Sequence, residues 1–263
     1  MNAGDKTLRV AKLSIVIPVY KEHSRLVESL QKVTAFIAST PDLAAEAIFV
    51  DDGSADNTAE IIREHLAKRS DLPMRLVSYK VNRGKGYAVK AGVLEAGGDL
   101  ILMSDADLST PLGDWLKLKT ALDEGADIAC GSRAVHGARI GKPPPFHRRV
   151  LSRLFNLLVR AAGVHGIRDT QCGFKLFRAD AAKEIFDLLQ TDRFAFDVEV
   201  ISLARDLLYQ VAEVPVNWNY SDHSTVRIFS SGFRMMWDVF LLAFRRTFFG
   251  KRRLGEKNKG KAT

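Results

Sequence analysis

Five short apolar runs, 13–20, 47–52, 75–79, 100–105 and 127–131, constrain this chain more than any other feature, because a helical pattern separates each from the next. Runs of this length rich in Val, Ile, Leu and Phe read as buried strands. The intervening segments, 24–38, 57–68, 86–96 and 112–122, carry apolar residues at helical spacing, and Asp56 is placed to cap the second. Alternating strand and helix predict an α/β domain with a mainly parallel sheet. In such sheets ligands bind beyond the carboxyl ends of the strands, so chemistry is sought there.

With 263 residues, 46% of them hydrophobic, the chain suits one large domain or one domain with an elaborated end. Cys130 and Cys172 have no metal-binding spacing, which predicts neither a zinc site nor a disulfide framework and points to a reducing compartment. Residues 1–12 mix charges with few apolar side chains and read as a flexible terminus without a secretory signal. No run reaches the roughly 20 apolar residues that a membrane crossing needs.

Most of the formal charge of +8 sits in the tail, where eight basic side chains from Arg245 onward face one acidic residue, Glu256. Such a tail suits an anionic surface or a solvated, disordered end. Two further segments look amphipathic. In 146–162 Val150, Leu151, Leu154, Phe155 and Leu158 interleave with Arg148, Arg149, Arg153 and Arg160, and the apolar stretch 233–244 is flanked by Arg234, Arg245 and Arg246. Both suit lying in a membrane interface or packing on a core.

Three carboxylate-bearing motifs fall at successive strand ends: Pro18-Val19-Tyr20-Lys21-Glu22, Asp51-Asp52-Gly53-Ser54 and Asp105-Ala106-Asp107. Two aspartates one residue apart at a strand exit can both face a hard divalent cation that shares its oxygen ligands with a diphosphate. Asn82-Arg83-Gly84-Lys85-Gly86 precedes a helix and suits a phosphate contact, although it lacks the Gly-Lys-Ser/Thr spacing of a Walker loop. Each motif taken alone also reads as a helix cap.

In their order along the chain these motifs, with Gly131-Ser132-Arg133, Asp169-Thr170-Gln171-Cys172-Gly173-Phe174-Lys175 and Phe196-Asp197-Val198-Glu199, resemble the glycosyltransferase 2 family. Within it the chain is most similar to the dolichyl-phosphate β-glucosyltransferases, with the dolichol-phosphate mannose synthases a step further away. The resemblance implies a GT-A type, Rossmann-like nucleotide-sugar-binding domain over 13–220, C-terminal amphipathic interface helices with an acceptor loop over 221–249, and a basic tail over 250–263. Carried across by position, it implies that Pro18, Tyr20, Glu22, Val50 and Asp52 line the nucleoside pocket. Lys85 joins the diphosphate contacts. Asp105, Ala106 and Asp107 span ribose and diphosphate, with Asp105, Asp107 and Ser109 at a Mg²⁺ or Mn²⁺ ion; Ser109 stands where the mannose synthases carry a glutamine.

On the acceptor side residue chemistry points to Arg133, with Gln171 or Lys175, as the grip on a phosphate, or else to surface salt bridges around a structural turn; the resemblance implies a mobile, phosphate-contacting loop that carries Arg227. A planar guanidinium suits the grip on a phosphate. Arg133, Asp197 and Asp107 carry the expected catalytic roles. A lipid phosphate needs positioning rather than a base, because a phosphomonoester loses its second proton near pH 6. A hydroxyl acceptor would need a carboxylate, and an extended 196–199 segment would bring Asp197 and Glu199 to one face for it.

The implied reaction moves glucose from UDP-glucose to a polyprenyl or dolichyl phosphate with inversion. Rival readings are a GDP-mannose donor, a hydroxyl acceptor, or a non-catalytic nucleotide-sugar or membrane-binding module. The expected partners are the nucleotide sugar, the lipid phosphate and an anionic membrane surface, with no nucleic acid. The expected location is peripheral, on the cytoplasmic face, without the N-terminal anchor of the eukaryotic glucosyltransferases.

Overall fold

Alternation of buried side chains between two faces of one sheet organises the domain. The computed structural model describes residues 12–23, 25–141, 159 and 166–219. Its strands are β1 (Leu13–Val19), β2 (Ala45–Asp51), β3 (Met74–Ser78), β4 (Leu100–Met103), β5 (Ile128–Ser132), β6 (Arg139–Ile140), β7 (Lys175–Arg178), β8 (Val211–Pro215) and β9 (Asn217–Trp218). The helices are α1 (Leu26–Ser39), α2 (Thr58–Lys68), α3 (Lys85–Glu95), α4 (Trp115–Asp123), α5 (Ala179–Leu188) and α6 (Phe196–Asp206), with a 3-10 turn at Leu112–Asp114. The five strands and four helices expected from periodicity are all present, with ends displaced by a few residues.

Seven strands form the main sheet in the order β3-β2-β1-β4-β7-β5-β8, and every pairing is parallel except those of β7 with β4 and β5. Ile15, Ile17, Phe49 and Leu102 face α1, α2 and α4, where Leu30, Val33, Ile62 and Leu118 complete one core. Val16, Ile48, Val50, Ile101 and Met103 point the other way, onto Val89 and Val93 of α3, Phe186 of α5 and Val198 of α6. Burial on both faces is why these strands read as nearly continuous apolar runs.

Two features of the topology place the site. The chain winds outward from β1 to β3 and then returns as β4 on the other side of β1, so a crevice opens between the ends of β1 and β4. The antiparallel β7 begins opposite the ends of β4 and β5, with Lys175 in register with both Met103 and Cys130. The turn that leads into β7, residues 169–174, is therefore delivered to the same crevice from a distant part of the sequence.

One expectation is corrected here. Phe196-Asp197-Val198-Glu199 is the first turn of α6, not an extended segment, so Asp197 and Glu199 point in different directions. The helix forms because the surrounding apolar residues, Phe196, Val200, Ile201 and Ala204, recur at helical spacing and bury against α3 and α5. Asp56 does serve the start of α2, accepting the Thr58 amide at 3.1 Å, from a position one residue before the N-cap. Cys130 and Cys172 are free and buried, and burial pushes their thiols up to about 12 and about 11. Apart from Val159, the expected 146–162 helix lies outside the described residues, as do residues 1–11 and everything from 220 onward, including Arg227. Among the described residues no helix is long and apolar enough to cross a membrane.

Candidate active site

The exit of β4 is a tight turn that presents two carboxylates. The Ser104 amide donates to the Val16 carbonyl at 3.0 Å, continuing the sheet, and the Ser29 hydroxyl of α1 donates to the Ala106 carbonyl at 2.6 Å. Ala106 is buried beneath, while Asp105 and Asp107 on either side of it keep partial access to solvent. The Ser109 amide occupies one oxygen of Asp107 at 3.0 Å, and the Ser109 carbonyl accepts the Asn219 amide at 2.9 Å.

Lys85, at the start of α3, reaches Asp105 with its ammonium 2.5 Å from Oδ1. Burial alone would raise the Asp105 pKa, but the charge and hydrogen bond of Lys85, with Lys175 and Arg133 behind it, hold it below its usual value. Burial likewise opposes the charge on Lys85, and the carboxylates of Asp105 and Asp197 more than offset that, so its pKa is raised. Arg25 pairs with Glu22 through its Nε and Nη2 and lies within reach of the charges of Asp107 and Asp105. On the remaining side of Asp105 sits Gly173, so close that a Cβ there would overlap the whole carboxylate.

Asp52 is tied to the loop between β3 and α3. Its carboxylate accepts the Tyr79 hydroxyl at 2.9 Å, the Asn82 amide at 2.7 Å, the Arg83 N–H at 2.8 Å and the Gly84 N–H at 2.9 Å. These bonds shape the loop that carries Lys85. Burial and this carboxylate together push the Tyr79 hydroxyl well above the normal tyrosine range, so it stays a donor. Gly53, at φ +67°, turns the chain against the backbone of Val81 and Asn82, where no Cβ fits.

Pro18 and Val50 are paired in register and buried in the sheet. Glu22 is buried at 8% exposure, whereas Tyr20, at 37%, stands open at the rim.

Arg133 follows β5 and extends into the crevice that Asp105, Ser109, Gly173 and Trp218 also line. Its Nε and Nη2 donate to the two oxygens of Asp169 at 2.7 and 2.8 Å, and its guanidinium lies 5.2 Å from the Trp218 ring centroid. Trp218 ends β9 and also walls the site.

Lys175 is turned inward. Its ammonium, 1% exposed, donates to Asp197 Oδ1 at 2.5 Å and to the carbonyls of Thr170 and Cys172 at 3.1 and 2.6 Å. Burial opposes this charge, but the adjacent Asp197 carboxylate holds the Lys175 pKa raised. With three donors spent within the chain, Lys175 secures the 169–174 turn. Glu199 accepts the amides of Gln190 and Thr191 at 3.2 and 2.7 Å, away from the crevice. Among the described residues the buried Gln171 side-chain nitrogen has no hydrogen-bond partner.

Asp105, Asp107, Ser109, Lys85 and Arg133 thus converge from β4, α3 and β5. Gly173 and Asp169 belong to the same constellation but were not singled out among the site residues. Both lay inside a recognised motif, where nothing local distinguishes a residue that touches Asp105 or Arg133 from one that merely turns the chain.

The Glycosyl transferase family 2 profile matches residues 14–186. The chain belongs to that family. The dolichyl-phosphate beta-glucosyltransferase of Dictyostelium discoideum is 39% identical over 243 residues, 89% of this chain and 74% of its own length. The human protein of the same name is 35% identical over 244 residues, 89% of this chain and 75% of its own. Among solved structures, Mycobacterium tuberculosis glucosyl-3-phosphoglycerate synthase, with Mn²⁺, UDP and glucosyl-3-phosphoglycerate, matches at TM-score 0.63 and 18% identity, over 89% of this chain and 79% of that one. The sheet and helices of this family 2 chain form a GT-A type fold.

Whether the site suits a divalent ion can be tested on its donors. Among the described residues no three His, Cys, Asp or Glu side chains cluster as a closed metal site. Asp105 and Asp107 supply hard oxygen atoms at one turn, the donor set of an ion that uses one or two carboxylates and completes its shell from substrate phosphates. The residues fit an ion that arrives with a diphosphate.

Proposed function

We propose that this glycosyltransferase moves glucose from UDP-glucose to a dolichyl or polyprenyl phosphate with inversion at the anomeric carbon. The observation that carries the reading is the meeting of both kinds of charge at one crevice. Asp105, paired with Lys85, and Arg133 line it together. The relatives that cover most of the chain are named dolichyl-phosphate beta-glucosyltransferases, which supports the same donor sugar and acceptor.

The residues act chiefly by placing charge. Asp105 and Asp107 would hold Mg²⁺ or Mn²⁺ on the donor diphosphate, and the ion supplies positive charge to a leaving nucleotide. Lys85 adds a second cation to that side once the diphosphate competes for it. Arg133 holds the acceptor phosphate, whose ionised oxygen attacks the anomeric carbon as the bond to the UDP oxygen breaks, the electron pair leaving with UDP. No proton need be removed from the acceptor. Asp197, the carboxylate a hydroxyl acceptor would require, is 3% exposed and paired with Lys175, which favours the phosphate reading.

The amphipathic segments and the basic tail would hold the protein on the cytoplasmic face of an anionic membrane. Flotation with vesicles containing anionic lipid tests that placement; a protein that stays at the bottom of the gradient rules it out. The reaction itself is tested with radiolabelled UDP-glucose or GDP-mannose and a short polyprenyl phosphate. Label should enter the organic phase from UDP-glucose. Label only from GDP-mannose reassigns the donor, and label from neither removes the proposal.

A further inference from the structure

We infer that Asp169 is a positioning residue that presents one chosen edge of Arg133 to the acceptor phosphate; this rests on the phosphate-acceptor reading above. A guanidinium has five N–H donors in a planar fork, and two of its edges can each grip an oxyanion pair. In this chain one edge is already taken. Nε and Nη2 face the two oxygens of Asp169, and the Arg133 main-chain N–H also donates to Asp169 Oδ2 at 3.0 Å. The other edge, formed by Nη1 and the second N–H of Nη2, makes no hydrogen bond among the described residues.

Burial is unequal across the pair. The Asp169 side chain is 5% exposed and the Arg133 side chain 26%, so the carboxylate is inside and the guanidinium is the more open partner, with its uncommitted edge left for a ligand. Arg133 and Asp105 line that crevice together.

Asp169 is itself held rigidly. Glu213 of β8 accepts its amide at 2.8 Å and the preceding Arg168 amide at 2.9 Å. β8 pairs with β5, the strand that carries Arg133. Trp218 covers the guanidinium, and its neighbour Asn217 is bonded to Asp114 at 2.7 and 3.0 Å. The arginine is therefore fixed from one edge and from the ring side before any ligand arrives. An ordered fork loses less freedom on gripping a phosphate than a free side chain does. Its orientation also excludes the alternative edge, so the acceptor meets one geometry.

Steady-state kinetics with UDP-glucose and a short polyprenyl phosphate test this, varying each substrate at saturation of the other. Asp169→Asn should raise the acceptor KM by about tenfold or more while the donor KM stays within about twofold. Asp169→Glu keeps the charge but moves the fork by one methylene, and should show the same one-sided effect, smaller in size. It carries the test if Asp169→Asn does not fold. Both KM values rising together, or an acceptor KM unchanged in the folded variants, overturns the inference. Arg133→Ala separates the two levels. An unchanged acceptor KM in that variant removes the phosphate role of Arg133 and the inference with it. A raised one beside normal Asp169 variants removes the positioning role alone.

Discussion

Substituting Gly173 by alanine adds a single methyl group to the most crowded point of the site. A Cβ there would lie 2.1–2.4 Å from the Oδ2, Cγ and Oδ1 atoms of Asp105, where ordinary contact starts at 3.4 Å. The carboxylate must therefore retreat by roughly 1 Å. It has little room to do so. Lys85 stands 2.5 Å away, and the Asp105 and Ala106 carbonyls are tied to Leu108 and Ser29 at 3.0 and 2.6 Å.

A displacement of this size in a group that positions a reacting substrate costs on the order of 10²-fold in rate. Crowding of a packed interior should cost about 1–3 kcal/mol in stability. Gly173 does not have positive φ, so alanine meets no backbone penalty and the effect is steric. The assay is transfer of label to polyprenyl phosphate beside a urea unfolding curve. Gly113→Ala is the control, because a Cβ there meets nothing within 4 Å. A folded Gly173→Ala protein with unaltered turnover would refute the claim that this close approach sets the place of Asp105.

Asp52→Asn should destabilise the protein by about 3 kcal/mol, because an amide nitrogen replaces an oxygen that receives buried donors. Urea midpoints measure this, and a cost under about 1 kcal/mol would contradict the loop-shaping role. The acid limb of stability should owe part of its slope to Asp169. Burial would raise its pKa, but Arg133 holds it below the normal value. A depressed folded pKa gives stability that is present above the unfolded value, about 3.9, and lost as pH falls through the folded one. The stability gap between the unaltered protein and Asp169→Asn should therefore shrink as melts are taken below about pH 4; a gap independent of pH would show that the ion pair contributes nothing.

Periodicity alone was enough for the α/β class, the first five strands of the sheet and the location of the carboxylate motifs at strand ends, because each is written in residues a few positions apart. The same local pattern misled over 196–199. Alternating Phe, Asp, Val and Glu suits a strand as well as the first turn of a helix, and only burial against α3 and α5 decides between them. Lys175 shows a second limit. A lysine in a polar turn reads as a phosphate ligand until the fold shows that Asp197, 22 residues away, and two carbonyls consume its donors.

What the sequence determined by itself is the set of chemical groups and the element ends that carry them: Asp105 and Asp107 after β4, Lys85 at the start of α3, Arg133 after β5. Tertiary structure decided which of them meet and which are already spent. The antiparallel insertion of β7 brings Gly173 against Asp105 and Asp169 against Arg133. The physical reason is that a hydrogen bond or a steric contact is a property of distance in space, and pairings made across 30 or more residues leave no period in the chain to read.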